Sequence, residues 1–388
     1  MNTIKIYIMT HKKFQEPEEK IYKPLQVGKA LHPDLGYDGD DTGDSISALN
    51  PYYGELTGLY WIWKNDTEND FVGLCHYRRF FVKENHQLLQ ESDYKKIFEN
   101  YDVIVSDTAN TKESYFEEYK KAHYIKDLLL IRDIIKIKYP QYGATFDYLV
   151  AQNKCYYGNL FVASKQIFDA YAQWLFSIFF EAQKQIDVET YDDYHKRVFG
   201  FISEELLMVW LVYNRYNIYE SNIGVTEEKA ETVELKLALT QLVKNGQFTQ
   251  ARELFYEFTN IRPDVRLEMS DIFGELPIME QLLYILEEEA NNYINGTYSV
   301  TNYLPDMVKH YKKMLEIFSD IKEEKKDFTL EEAEYIKRNR LSGIFASVIF
   351  LNNPETSFDK VKVKQKLIQF FEQEEEIESA NQMKQLPF

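Results

Sequence analysis

The sequence predicts an α/β domain followed by an all-helical one, and three observations carry that expectation. Short apolar runs rich in β-branched and aromatic residues alternate with helical patterns over about the first 225 residues, the alternation that builds a sheet covered by helices. From about Glu227 onward strand signals stop, while helical periodicity with Glu/Lys faces continues to the end. The 388 residues are 45% hydrophobic and 28% charged, enough for two ordinary globular cores. Disordered and fibrous classes are excluded. The expected domains are 1-225 and 226-388.

Taken in order, Ile4 to Met9 is a buried strand that opens at Thr10-His11-Lys12 onto a loop, and the carboxyl ends of strands are where α/β proteins bind ligands. Leu35 to Ser45 holds too many glycines and aspartates for a regular element and reads as a long polar loop. Asn50 as N-cap and Pro51 as first helical residue start a helix through Trp63. Phe71 to Cys75 is a second strand, and a helix around Tyr94 to Asn100 leads to a third at Tyr101 to Ser106. Lys126 to Lys138 is helical. Tyr156 to Ala163 is a further strand before the amphipathic helix Gln166 to Ile186, and Ile202 to Tyr213 is the last helix of this half. In the second half Thr329 to Glu332 is a capping box. Leu237 to Arg262, followed by Pro263, has the helix–turn–helix cadence of one tetratricopeptide-like unit, without a second copy at a period near ~34 residues.

The formal charge is −18, and each half of the chain is acidic. Non-specific nucleic-acid binding needs the opposite field, so no nucleic-acid partner is expected. Cys75 and Cys155 lie far apart with no CxxC, which argues against a disulfide framework or structural zinc and for a reducing cytoplasm. No run approaches the ~18 apolar residues of a membrane span, and the amino terminus runs directly into a strand pattern. The expectation is a soluble cytoplasmic protein. Thirty tyrosines and 26 phenylalanines make aromatics 15% of the chain; such rings suit sugars or nucleobases and equally suit core packing.

No GxGxxG, GxxxxGK[ST], HExxH or GxSxG occurs, so classical nicotinamide dehydrogenases, P-loop enzymes, zincins and α/β-hydrolases lose support. Polar clusters at strand ends remain. Thr10-His11-Lys12-Lys13 can hydrogen-bond a base or neutralise phosphate, or be solvated surface. Asp38 to Asp44 can bind sugar hydroxyls or a divalent metal, or merely shape a turn, and its spacing is wrong for a calcium loop. Cys75-His76-Tyr77-Arg78-Arg79 puts two guanidinium groups side by side, which points to a diphosphate or to salt bridges with surplus carboxylates. Ser203-Glu204-Glu205 opens a helix, where a carboxylate can serve catalysis or only the helix dipole.

Together, Ile6 to Phe14, Ile21 to Leu31, Leu35 to Ser47, Asn50 to Asn65 and Val72 to Phe81, with Tyr156 to Phe179 and Arg197 to Leu211, resemble a family of bacterial glycosyltransferases of capsular and exopolysaccharide loci. The resemblance covers about the first 225 residues and none of the helical remainder. It implies a glycosyltransferase-A-like, Rossmann-related domain that uses a nucleotide-diphosphate sugar, with UDP-galactofuranose among the candidate donors.

On that resemblance, Thr10, His11, Asp40, Asp41 and Asp44 line the nucleoside and sugar, joined on the donor side by Lys12, Glu55, His76, Arg78 and Arg79. Glu204 is the candidate general base, with Asp192, Asp193 and His195 nearby. The wider fold usually ends its strand with Asp-x-Asp to hold Mn²⁺ or Mg²⁺. Here that strand ends His76-Tyr77-Arg78, so the expectation is metal-independent transfer, with Asp40 and Asp41 as the alternative metal ligands. The implied acceptor is a saccharide or lipid-linked oligosaccharide at the inner face of the membrane. The helical tail would present the acceptor, self-associate or dock capsule-assembly proteins. Two rivals are a non-catalytic carbohydrate- or nucleotide-binding scaffold and a nucleotidyltransferase that releases pyrophosphate.

Overall fold

The run Ile-Lys-Ile-Tyr-Ile-Met puts apolar side chains on both faces of one strand, so β1 (Ile4–Thr10) belongs in a sheet covered on both sides. The computed structural model, which describes residues 3–321, 328–354 and 357–387, bears this out. Ile4, Ile6 and Ile8 enter one core while Tyr7 and Met9 enter another. The chain divides into two units, Met1–Thr226 and Glu227–Phe388.

The first unit is α/β. Its strands are β1, β2 (Tyr22–Gln26), β3 (Asp38–Gly39), β4 (Phe71–His76), β5 (Arg79–Val82), β6 (Val103–Ser106), the small pair β7 (Ala109–Asn110) and β8 (Lys154–Cys155), β9 (Phe161–Ser164) and β10 (Ile218–Val225). β3, β2, β1 and β4 run parallel, with Met9 opposite His76 and Thr10 opposite Gln26. The carboxyl ends of β1, β2 and β4 therefore share one edge. β9 lies antiparallel between β4 and β6, and β10 runs parallel to β6 and antiparallel to β5. A Cβ on Gly73 would sit 2.6 Å from the Phe161 carbonyl oxygen, so that glycine lets β4 and β9 pair.

Helices α1 (Asn50–Tyr53), α2 (Leu56–Asn65), α3 (Glu91–Ile97), α4 (Tyr115–Ala122), α5 (Ile125–Lys138), α6 (Gly143–Val150), α7 (Lys165–Gln183) and α8 (Val198–Asn214) accompany the sheet. α7 lays Phe168, Tyr171, Leu175 and Phe179 into the same core as Val72, Leu74, Val103 and Val105. α8 is apolar around most of its circumference and runs through that core.

Several sequence expectations need correction. β2, β5 and β10 were not anticipated: Lys23 and Pro24 interrupt the first, Arg79 opens the second, and the third is largely half-exposed without an apolar run. The expected strand Tyr156 to Ala163 is paired only from Phe161, because Gly158 and Asn159 adopt left-handed φ of 87° and 54°. The helix expected from Pro51 to Trp63 breaks at Gly54, φ 57°. Leu49 takes the cap position, and the Asn50 amide donates instead to the Gly54 carbonyl and the Thr57 hydroxyl across the break.

The second unit contains α9 (Ala230–Lys244), α10 (Phe248–Ile261), α11 (Leu276–Asn291), α12 (Leu304–Asp320), α13 (Leu330–Arg338), α14 (Gly343–Asn352), α15 (Lys360–Gln373) and α16 (Ile377–Lys384), and no strand among the described residues. Their apolar faces share one core. The Thr329 hydroxyl accepts from the Glu332 amide while the Glu332 carboxylate accepts from the Thr329 amide, the reciprocal cap the sequence predicts. Among the described residues no helix is long and apolar enough to cross a membrane.

Candidate functional site

The burial of α8 fixes the first functional group. Ile202, Leu206 and Leu207 anchor the helix in the core, and Glu204 projects from it toward the broken segment before β9. There the Gly158 amide donates to Glu204 Oε1 at 2.6 Å. A Cβ on Gly158 would lie 2.8 Å from Arg79 Nη1. Glycine at this position thus supplies both the left-handed turn and the room for Arg79 beside Glu204.

The next residue ties a second carboxylate to the first. The Asn159 amide nitrogen donates to Glu55 Oε1 at 2.6 Å and to the Gly200 carbonyl at 3.1 Å, while its oxygen accepts from the Ser203 hydroxyl at 2.8 Å. Asn159 is buried. It joins the start of α2, the first turn of α8 and the approach to β9 in one network. Arg197, at the entrance of α8, lies against Gly54, its Nε and Nη2 each 3.9 Å from where a Cβ would stand.

Charge and burial shape what these groups can do. Burial pushes the Glu204 carboxyl up to about 8; the Gly158 amide and the guanidinium groups of Arg79 and Arg197 oppose the rise, and the Glu55 charge adds to it. Glu204 keeps partial contact with solvent. Burial pulls His76 down to about 4, against the pull of Glu55 and with the push of Arg79, Arg78 and Arg197, so its imidazole is neutral at physiological pH. Arg79 is drawn below its usual value by burial and held up by Glu204 and Glu55. His76 Nε2 and Arg79 Nε are buried without hydrogen-bond partners among the described residues. Buried nitrogens of that kind are costly unless a ligand satisfies them.

The structure therefore brings together Glu55, His76, Arg79 and Glu204 from the sequence-predicted set, with Arg78 buried in the turn after β4. His11 and Lys12 stand beside them around Tyr77: the His11 ring is edge-on at 5.1 Å and the Lys12 ammonium lies 4.8 Å above the ring. Phe14 and Tyr37 extend this aromatic patch, with Lys13 over Tyr37 at 4.2 Å.

Other predicted residues have local duties. The Thr10 hydroxyl donates to the Lys12 carbonyl and accepts from the Lys12 amide, closing the turn after β1. Asp40 is fully buried, and its carboxylate accepts from the Gly28 and Lys29 amides and the Ser47 hydroxyl. Asp44 accepts from the Tyr60 hydroxyl. Asp41 is exposed. A divalent ion needs converging oxygens with free lone pairs, and the Asp40 and Asp41 pair does not offer them. Among the described residues no group of three or more His, Cys, Asp or Glu side chains could hold a metal ion.

Asp193 is fully exposed beside Lys196, and His195 contacts the Asp192 carboxylate at 2.6 Å and the Ala122 carbonyl at 3.1 Å. The structure does not bring either of them to Glu204. Sequence reasoning missed Asn159, Gly158 and Tyr77 as site residues. A glycine followed by asparagine inside an apparent strand is the signal that could have marked the first two, since both tolerate left-handed backbone.

A family model described as a domain of unknown function (DUF4422) matches residues 5–215. A solved structure described as the WbbM bifunctional glycosyltransferase in its apo form is similar at 32% identity and a TM-score of 0.52, over 58% of this chain and 46% of that one. The chain thus spans about half the length of that protein. No curated protein matches the sequence.

Proposed function

Since the chain belongs to the DUF4422 family, we propose that its first unit is a glycosyltransferase-A-like domain that moves a sugar from a nucleoside diphosphate to a saccharide hydroxyl. The likeness to a glycosyltransferase at 32% identity supports the reaction class. The observation that carries the reading is the pair of buried nitrogens on His76 and Arg79, without hydrogen-bond partners among the described residues, facing the charges of Glu55 and Glu204 at a sheet edge. Such nitrogens suit the oxygens of a diphosphate.

In this reading the donor is a uridine diphosphate sugar, UDP-galactofuranose first among the candidates. Its base lies against the Tyr77, His11 and Lys12 patch. Arg79 and Arg78 take up the charge on the leaving diphosphate and the neutral His76 donates a hydrogen bond to it, so the transfer runs without a metal. The acceptor oxygen bonds to the anomeric carbon as the bond from that carbon to the phosphate oxygen breaks, and Glu204 takes the hydroxyl proton. A carboxylate raised to about 8 is a stronger base than an ordinary one. Glu55, held by Asn159, orients the sugar hydroxyls. The acceptor is a growing capsular or exopolysaccharide chain, free or lipid-linked, presented at the cytoplasmic face of the membrane.

The test is release of UDP from UDP-galactofuranose, UDP-galactopyranose and UDP-glucose, with and without oligosaccharide acceptors, by the full chain. Acceptor-stimulated release is expected. Saturable UDP binding without release from any donor would identify a scaffold, and release of pyrophosphate from sugar phosphate and UTP would identify a nucleotidyltransferase.

A further inference from the structure

The helical unit carries a cavity of about 190 Å³ between the loop after α11, the first turns of α12 and the end of α13. His310 forms part of its wall. His310 is 6% exposed, its Nδ1 meets the Tyr335 hydroxyl at 3.2 Å, and its Nε2 has no hydrogen-bond partner among the described residues. A buried nitrogen left unmatched at the wall of a cavity is the signature of a group waiting for a ligand.

The lining specifies what that ligand is. Asn339 donates its amide nitrogen to the Tyr335 carbonyl, which leaves its oxygen as an acceptor. The Thr301 hydroxyl accepts from the Tyr303 amide, which leaves its proton to donate. Asp306 and Lys309 neutralise one another at 2.9 Å in a half-exposed to exposed pair. Burial lowers His310 to about 4, so the imidazole contributes no charge at neutral pH. Donors and acceptors both line the space beside the Tyr335 ring. Near that ring Lys313 pairs with Glu316 at 3.0 Å, and the Arg338 guanidinium, 5.8 Å from the ring centre, is not among the lining side chains. The lining itself offers a charged ligand no net counter-charge, and a purely apolar one would leave the polar atoms unmet. Hydroxyl groups, each donor and acceptor at once, meet both kinds of partner. Drug-sized ligands need ~300–1,000 Å³, whereas about 190 Å³ suits a single small ring.

We propose that this cavity is a binding site for one neutral, polyhydroxylated ring, a monosaccharide unit, held by Thr301, His310 and Asn339 beside the Tyr335 side chain. The site stands apart from the donor chemistry of the first unit and requires no turnover. It gives the helical unit a carbohydrate-reading role of its own.

Saturation-transfer NMR on the full chain, with methyl galactoside, methyl glucoside, N-acetylglucosamine and myo-inositol as probes and inorganic phosphate and acetate as charged controls, tests the proposal. At least one neutral probe should bind saturably with a Kd of about 1–10 mM. Thr301→Val and Asn339→Leu, each at a half-buried position that should preserve folding, should each weaken it about tenfold while leaving UDP binding unchanged. His310→Phe, which removes the unmatched nitrogen and leaves an apolar wall, should abolish it. No saturable neutral probe below about 100 mM, binding unaffected by Thr301→Val and Asn339→Leu, or preferential binding of phosphate would overturn the proposal. UDP titration in the same samples reports the first unit independently, so failure of either reading leaves the other measurable.

Discussion

Glu204 makes the pH dependence of the proposed transfer predictable. A base that titrates at about 8 is roughly one-tenth ionised at pH 7 and nine-tenths at pH 9. Initial rates of UDP release should therefore rise about tenfold across that interval and then level off. Glu204→Gln removes the titrating group while keeping an acceptor for the Gly158 amide. Its activity should fall by ~10²–10⁴ and lose the rise with pH. The same shift is a stability statement. The folded-state carboxyl stands above its ordinary 4.5, so its stabilising effect is complete below that value and lost as pH climbs through about 8. The full shift sets about 5 kcal/mol as the ceiling of that loss. Urea titrations at pH 5 and pH 9 should show the wild type losing stability relative to the Gln variant. A flat rate profile, or a rise with pH that persists in Glu204→Gln, would refute the assignment.

Four more outcomes are expected. Glu205 is fully buried with neither carboxyl oxygen hydrogen-bonded among the described residues, and burial pushes its carboxyl well above the ordinary value; Glu205→Met should stabilise the fold by about 1–3 kcal/mol, read as a higher denaturation midpoint, and a lower midpoint would mean that the carboxyl has a partner. Gly158→Ala should displace Arg79 and weaken UDP binding at least about tenfold in calorimetry, whereas unchanged affinity would separate Arg79 from the diphosphate. Asn159→Gly keeps the left-handed backbone but drops the amide and its three buried hydrogen bonds, so the thermal midpoint should fall and turnover of the still-folded protein should fall about tenfold; full activity would remove Glu55 from the reaction. Transfer should survive exhaustive EDTA, and a loss that manganese restores would reinstate a metal site.

The legible parts of the fold were those whose burial is written locally. β1 and β4 show continuous apolar runs because both faces are covered, and the helices beyond Glu227 show Glu/Lys faces because one side meets solvent. β5 and β10 were hidden because they pair mainly with each other and with β6, so their partners, not their own composition, define them. The site divides in the same way. His76 and Arg79 stood out as a polar cluster after a strand. The link from Glu55 to Asn159 spans 104 residues and that from Gly158 to Glu204 spans 46, and neither leaves a periodic trace. The aspartate loop looked equally suited to a ligand or a turn. Asp40 proved to hold the amides of Gly28 and Lys29, a contact that depends on where β2 ends.

The two carboxylates rest on supports of unequal stiffness. α8 is enclosed by core side chains, so Glu204 cannot travel without disturbing many neighbours. Glu55 follows the break at Gly54, where two short helices meet through a residue with φ 57°. Glu55 is tied back across the break by one side-chain hydrogen bond, from the Asn159 amide at 2.6 Å. In the proposed transfer, a substitution at Gly54 or Asn159 should therefore change the spacing of the two carboxylates without moving the helix that bears Glu204.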